Sequence, residues 1–204
     1  MDPRVFQRFI VISAVVAAVV ISIRLGYWYF TPPPGDVEAH KGDTLLDAAK
    51  NRQALVWFDR ALRAEPTHHA ARLGRAVALI RLRRYPEAMT ELGNVIDELP
   101  KTLDAEDPED KAVLATAYAN RGIIHDRNGE YLEALGDYVR SLEIAADTVA
   151  EPNLLEKILY DPRPSTVRDR ARHIFEQLQK PENDRVLRAL EFDATQKLYR
   201  PSPD

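Results

Sequence analysis

Histidine, aspartate, glutamate and arginine are the residues with chemistry to offer, and their spacing assembles no reaction centre. The five histidines are His40, His68, His69, His125 and His173. None forms an H-E-x-x-H pair, which would set two imidazoles one turn apart around a zinc ion. His68 and His69 are sequence neighbours, so on a helix they point to different sides. No cysteine is present, which excludes disulfides, thiolate metal ligands and thiol nucleophiles. There is no Gly-x-Ser-x-Gly, no Gly-x-Gly-x-x-Gly and no phosphate loop. The acidic run Asp104 to Asp110 lacks the ligand spacing, glycine and closing glutamate of a calcium loop. Asp107-Pro108 reads instead as the N-cap and first residue of a helix, with Glu109 and Asp110 in its first turn. That helix is predicted to run from about Pro108 to Asn128. The net charge is −4, and the arginines alternate with acids along helices, which argues against a nucleic-acid partner. The chain is expected to be no enzyme and to hold no cofactor or metal. Its remaining chemistry is recognition.

Recognition needs a frame, and a short stretch recurs to provide one. Tyr85-Pro-Glu-Ala88 and Tyr131-Leu-Glu-Ala134 match, and Asn51-Arg-Gln-Ala54 is a weaker copy. Ala54 and Ala88 lie 34 residues apart; Ala88 and Ala134 lie 46 apart, twelve more. Aligned on these alanines, three units emerge: 35–68, 69–102 and 115–148. Gly42, Ala76 and Gly122 fall twelve positions before the alanine that opens each unit's second helix, and small residues let two helices cross closely. Phe58, Leu92 and Tyr138 follow four positions after it, then Ala61, Val95 and Ser141, lining one face. Pro66 and Pro100 are expected to stop the second helices of the first two units.

Period, small crossing residue, anchor and proline together resemble the tetratricopeptide repeat family. The resemblance covers about half of the chain. The family's early aromatic survives only as Tyr118, and its mid-helix tyrosine is replaced by Leu45, Leu79 and His125. His125 is expected to pack between paired helices. The resemblance implies an all-α solenoid of about three helix pairs that binds proteins along the concave groove of its first helices. By position, the groove candidates are Asp43, Leu46 and Asp47 in the first repeat. They are Leu73, Val77, Ile80 and Arg81 in the second, and Asn120, Ile123, Asp126 and Arg127 in the third. Family members that grip a terminal carboxylate do so with Lys, Arg and Asn. Here those positions hold Ala39, Asp43 and Gly74, so that clamp is absent. Leu73, Val77 and Ile80 form an apolar side beyond what Ala76 and Leu79 use. A protein segment supplied in trans is expected to cover it, flanked by Arg81 and Arg127.

The flanks complete the reading. Residues 9–30 are predicted as a transmembrane helix after a cytoplasmic tail at 1–8, with Tyr27, Trp28 and Tyr29 as an interfacial belt and Arg24 reaching the headgroups. Arg4 and Arg8 precede the span, and Asp36 and Glu38 follow it. The positive-inside rule then puts the repeats in the periplasm, on a bacterial inner membrane. A Pro-rich spacer at 31–34 leads into repeats 1 and 2 at 35–102. An insertion at 103–114 precedes repeat 3 at 115–148, and 149–204 forms a connector and capping helices. In the connector, Pro152, Pro162 and Pro164 surround an apolar piece, Leu154 to Tyr160. Thr166 and Asp169 are a candidate capping box for a helix that Pro181 ends. Val186, Leu187 and Leu190 suggest a last short helix. The function expected is a membrane-tethered scaffold or assembly factor. The alternative is an accessory subunit of an integral membrane complex, held partly by its span.

Overall fold

The computed structural model describes residues 3–30, 32–102, 107–149, 166–188 and 198–199. Within them all regular structure is helical. The elements are α1 (Pro3–Phe30), α2 (Asp36–Asp47), α3 (Asn51–Ala64), α4 (His69–Arg81), α5 (Tyr85–Thr102), α6 (Pro108–Asn128), α7 (Tyr131–Val149) and α8 (Val167–Leu178). A 3-10 turn spans Glu182–Asp184. Helices α2 and α3, α4 and α5, and α6 and α7 pack as pairs; α3 meets α4, and α5 meets α6. The first helices also touch in series, α2 on α4 and α4 on α6, and α8 packs on α7. This is the arrangement of a helical solenoid.

The junction inside each pair is built identically. Lys50, Arg84 and Glu130 donate their amides to the carbonyls of Leu45, Leu79 and His125, at 2.8, 2.9 and 2.9 Å. Ala49, Arg83 and Gly129 sit between at φ 55°, 61° and 82°. These bonds satisfy the last carbonyls of the first helix through a left-handed residue. Only the third junction uses glycine, the residue that accepts this conformation without steric cost.

The close crossing differs in detail from a small residue set against the repeat alanine. A Cβ on Gly42 would lie 2.6 Å from the Phe58 ring, and one on Gly122 would lie 2.8 Å from the Tyr138 ring. In both the glycine faces the large anchor, and Gly122 also meets the repeat alanine, the Ala134 carbonyl lying 3.3 Å from the added Cβ. The second repeat has Ala76 with the smaller Leu92, both in one core cluster. Gly74, from the next repeat, also closes on Phe58, where a Cβ would overlap the ring. Phe58 thus lies against glycines from two successive units.

Pro100 does not end its helix: α5 continues to Thr102 with Pro100 inside it. A proline near a helix C-terminus removes one backbone bond without blocking the turns that precede it. The helix predicted from Asp107 is α6 itself, and Asp107 accepts from the Glu109 amide at 2.9 Å. Residues 108–114 of the expected insertion therefore belong to α6, and Val113 and Leu114 are buried in the core cluster with α5. Thr166 and Asp169 form the capping box of α8. Val186 and Leu187 are not helical. Leu190, Asp104 and the stretch from Pro152 to Pro164 lie outside the described residues.

The expected transmembrane span is corrected. Among the described residues no helix is long and apolar enough to cross a membrane. Helix α1 has 28 residues, so length alone is not what is lacking. Arg8 and Arg24 leave fifteen uncharged residues between them. At about 1.5 Å per residue that run covers about 23 Å, short of the hydrocarbon core of about 30 Å. The single-pass placement in an inner membrane, with repeats facing the periplasm, falls with the span, as does the reading as a subunit held through it. Arg24 is exposed on α1; the side chains of Tyr27, Trp28 and Tyr29 lie outside the described residues.

Candidate functional site

The inner face of the array is formed by α2, α4 and α6. On α2, Leu46 is fully buried, Asp43 half-buried and Asp47 exposed. On α4, Leu73, Val77 and Ile80 are buried, but they divide between two clusters. Val77 joins Leu46, Ala54 and Phe58 of the first repeat. Leu73 and Ile80 join Leu92, Val113 and Ile124, shared with the second and third. The cover for this apolar side thus includes neighbouring repeats of the same chain. Arg81 is exposed, and its Nη1 donates to the Leu46 carbonyl at 2.6 Å, a cation at the C-terminal end of α2.

On α6 the inner face is polar as well as apolar. Ile123 is buried with Tyr138, Val167, Ile174 and Tyr199. Asp126 is buried and accepts both Arg170 Nε and Nη2 at 2.5 Å. The Tyr138 hydroxyl donates to the same carboxylate at 3.1 Å. Both partners of the Asp126–Arg170 pair have side chains only 2% exposed, which makes this a buried fork-to-fork ion pair. Arg170 Nη2 also donates to the Leu187 carbonyl at 3.0 Å, so the guanidinium ties α6 to α8 and to the segment that follows it. Burial, and then the adjacent Asp126 carboxylate, hold the Tyr138 hydroxyl well above its ordinary pKa. Arg127, one residue on, is exposed.

Asn120 is completely buried. Its Nδ2 donates to the Tyr199 carbonyl at 2.8 Å, and its Oδ1 accepts the Tyr199 amide at 3.0 Å. One side-chain amide thus reads both main-chain groups of a single residue. The Tyr199 hydroxyl accepts from the Val167 amide at 3.0 Å, in the first turn of α8 where helix amides lack internal partners. Leu198, beside it, packs against all three core clusters. Leu198 and Tyr199, near the end of the sequence, are therefore joined to the core that the repeats share.

Leu198, Tyr199 and Arg170 carry no local sequence signal for these roles. A second missed feature did have one. Lys41, Arg75 and Arg121 recur in the repeat register, as do Trp57, Glu91 and Asp137. Lys41 Nζ sits 4.6 Å from the Trp57 ring centre. Arg75 pairs with Glu91 at 2.5 Å and with Asp59 at 2.8 Å, and Arg121 holds Asp137 through two bonds of 2.7 Å. Each cation on a first helix is matched to its own second helix. His125 is half-buried, with Nδ1 2.6 Å from a Glu130 carboxylate oxygen and Nε2 3.8 Å from Asp137. Among the described residues no group of three His, Asp or Glu side chains is placed to share a metal ion.

Residues 41–110 match the tetratricopeptide repeat family. The matched stretch runs from within α2 to the start of α6. Repeats of this family typically serve protein interaction and not catalysis. No curated protein matches the chain.

Proposed function

We propose that this chain is a protein-interaction scaffold whose inner face, formed by α2, α4 and α6, takes an extended segment of another protein. The observation that carries the reading is the paired hydrogen bonding of Asn120 to the backbone of Tyr199. An amide that engages N–H and C=O of one residue recognises extended main chain whatever its side chain, which is the sequence-tolerant part of peptide capture. The match of residues 41–110 to an interaction repeat supports it. The candidates that border this face are Asp43, Asp47, Arg81 and Arg127, with Leu46, Leu73, Val77, Ile80 and Ile123 forming its apolar floor and Asn120 and Asp126 its polar part. In this reading 35–102 and 115–148 form the interaction module, and 149–204 its cap. An assembly factor is the role such a module fills when its ligand belongs to a larger complex.

A random peptide library selected on the full chain tests this. Enriched peptides should bind the wild type and lose most of their affinity for Asn120→Asp, which keeps one acceptor and removes the donor. Failure to enrich any peptide, or equal binding to the variant, would overturn the reading.

A further inference from the structure

We infer that Leu198–Tyr199 is a displaceable ligand of the inner face held in cis, and that its partner in trans is an extended protein segment carrying an apolar residue followed by tyrosine. The inference rests on the proposed interaction face and adds the chemistry of its ligand and the means of its control.

Three observations carry it. The two residues are far from the face in sequence: Asn120 and Tyr199 are 79 residues apart. What holds them is a set of contacts a peptide would make. Asn120 takes the main chain of Tyr199, the amide of Val167 takes its hydroxyl, and Leu198 packs against all three apolar clusters. Only the hydroxyl contact separates tyrosine from phenylalanine. The third observation is an unused group. Thr116 is fully buried, and among the described residues its hydroxyl has no hydrogen-bond partner. It precedes Asn120 by one turn on the same side of α6. A buried hydroxyl without a partner is unfavourable, and a longer extended segment would offer it main-chain groups. Among the described residues, Leu198 and Tyr199 therefore leave part of the polar row on α6 unfilled, and a ligand in trans can satisfy more of it.

An intramolecular ligand lowers the apparent affinity for a competitor by the fraction of time the face is open. Removing it must raise that affinity. The probe is a fluorescently labelled peptide with the sequence of residues 194–202, titrated into the full chain and read by anisotropy. Leu198→Glu with Tyr199→Ser, which disables the cis segment, should bind the probe at least about tenfold more tightly than the wild type. Adding Asn120→Asp to that variant should abolish the gain. A probe with phenylalanine in place of tyrosine should bind several-fold more weakly. If the double variant loses cooperative melting, Tyr199→Phe carries the test: it keeps the ring, and should raise probe affinity several-fold. Equal affinity in wild type and opened variant would overturn the control while leaving the proposed face intact. No binding of the probe to either chain, with library peptides still bound, would overturn the ligand assignment and make Leu198–Tyr199 a fixed strap. Absence of any peptide binding at all would remove the underlying reading.

Discussion

Helices α4 and α6 occupy the same place in successive repeats, and both are buried on nearly every side, but different chemistry covers them. The inner face of α4 offers Leu73, Val77 and Ile80, and it is covered by apolar side chains of flanking repeats. The inner face of α6 offers Asn120 and Asp126, and it is covered by Tyr199 and Arg170 from beyond the repeats. Apolar cover is non-directional and tolerates many neighbours. Polar cover fixes one partner in one geometry, because a buried polar group left alone is penalised. The apolar face is set by packing alone, whereas the polar face holds its cover in one hydrogen-bonded geometry.

The largest effect expected is at the polar cover. Asp126→Ala leaves the Arg170 guanidinium buried without its carboxylate, and should lower unfolding stability by about 3–5 kcal/mol. Replacing both residues by leucine should recover most of that loss, since a buried pair contributes little net against an apolar substitute. Urea denaturation of the three chains measures both. A mild loss for Asp126→Ala would erase the contrast between α4 and α6.

The apolar cover is probed by size instead of charge. Gly74→Ala puts a methyl into the Phe58 ring and should cost about 1–3 kcal/mol. Gly136→Ala is the control: nothing lies within 4 Å of its added Cβ, and the change should stabilise by about 0.5–1 kcal/mol through helix propensity. Equal melting temperatures for the two variants would mean that the ring is not confined.

Tyr138 gives a smaller effect with a defined pH dependence. Its hydroxyl pKa is raised in the folded state, so the folded form keeps its proton while the unfolded form ionises near pH 10. Stability from this group is therefore complete below about pH 10 and is lost as pH rises above it. Tyr138→Phe should remove that alkaline decline, and at neutral pH should cost about 1 kcal/mol for the lost bond to Asp126. An unchanged alkaline limb would locate the titration elsewhere.

The smallest effect lies in the junctions, where α4 and α6 differ by one glycine. Arg83 holds a left-handed conformation that Gly129 adopts freely. Arg83→Gly relieves that steric strain but gains unfolded-state entropy, so the net stabilisation should not exceed about 1 kcal/mol by thermal melting. Gly129→Ala should act in the opposite direction.

The sequence determined what neighbours along the chain decide. The register of Ala54, Ala88 and Ala134 is legible because the chain repeats it, and the start of α6 at Asp107-Pro108 and the capping box at Thr166 and Asp169 are legible because their partners lie within a few residues. The cation pairs at Arg75 and Arg121 were written in the same register and needed only the repeat to be read twice. Hydropathy was less secure: the apolar run in α1 looked long enough for a membrane only if Arg24 was counted inside it. Tertiary structure decided which surfaces are covered, and by what. Residues 44 and 79 positions apart meet at Asp126–Arg170 and Asn120–Tyr199, and no periodicity relates them. An exposed-looking apolar stripe and a buried one have the same spacing on a helix; only the placement of the other helices, and of one leucine and one tyrosine near the end of the sequence, distinguishes them.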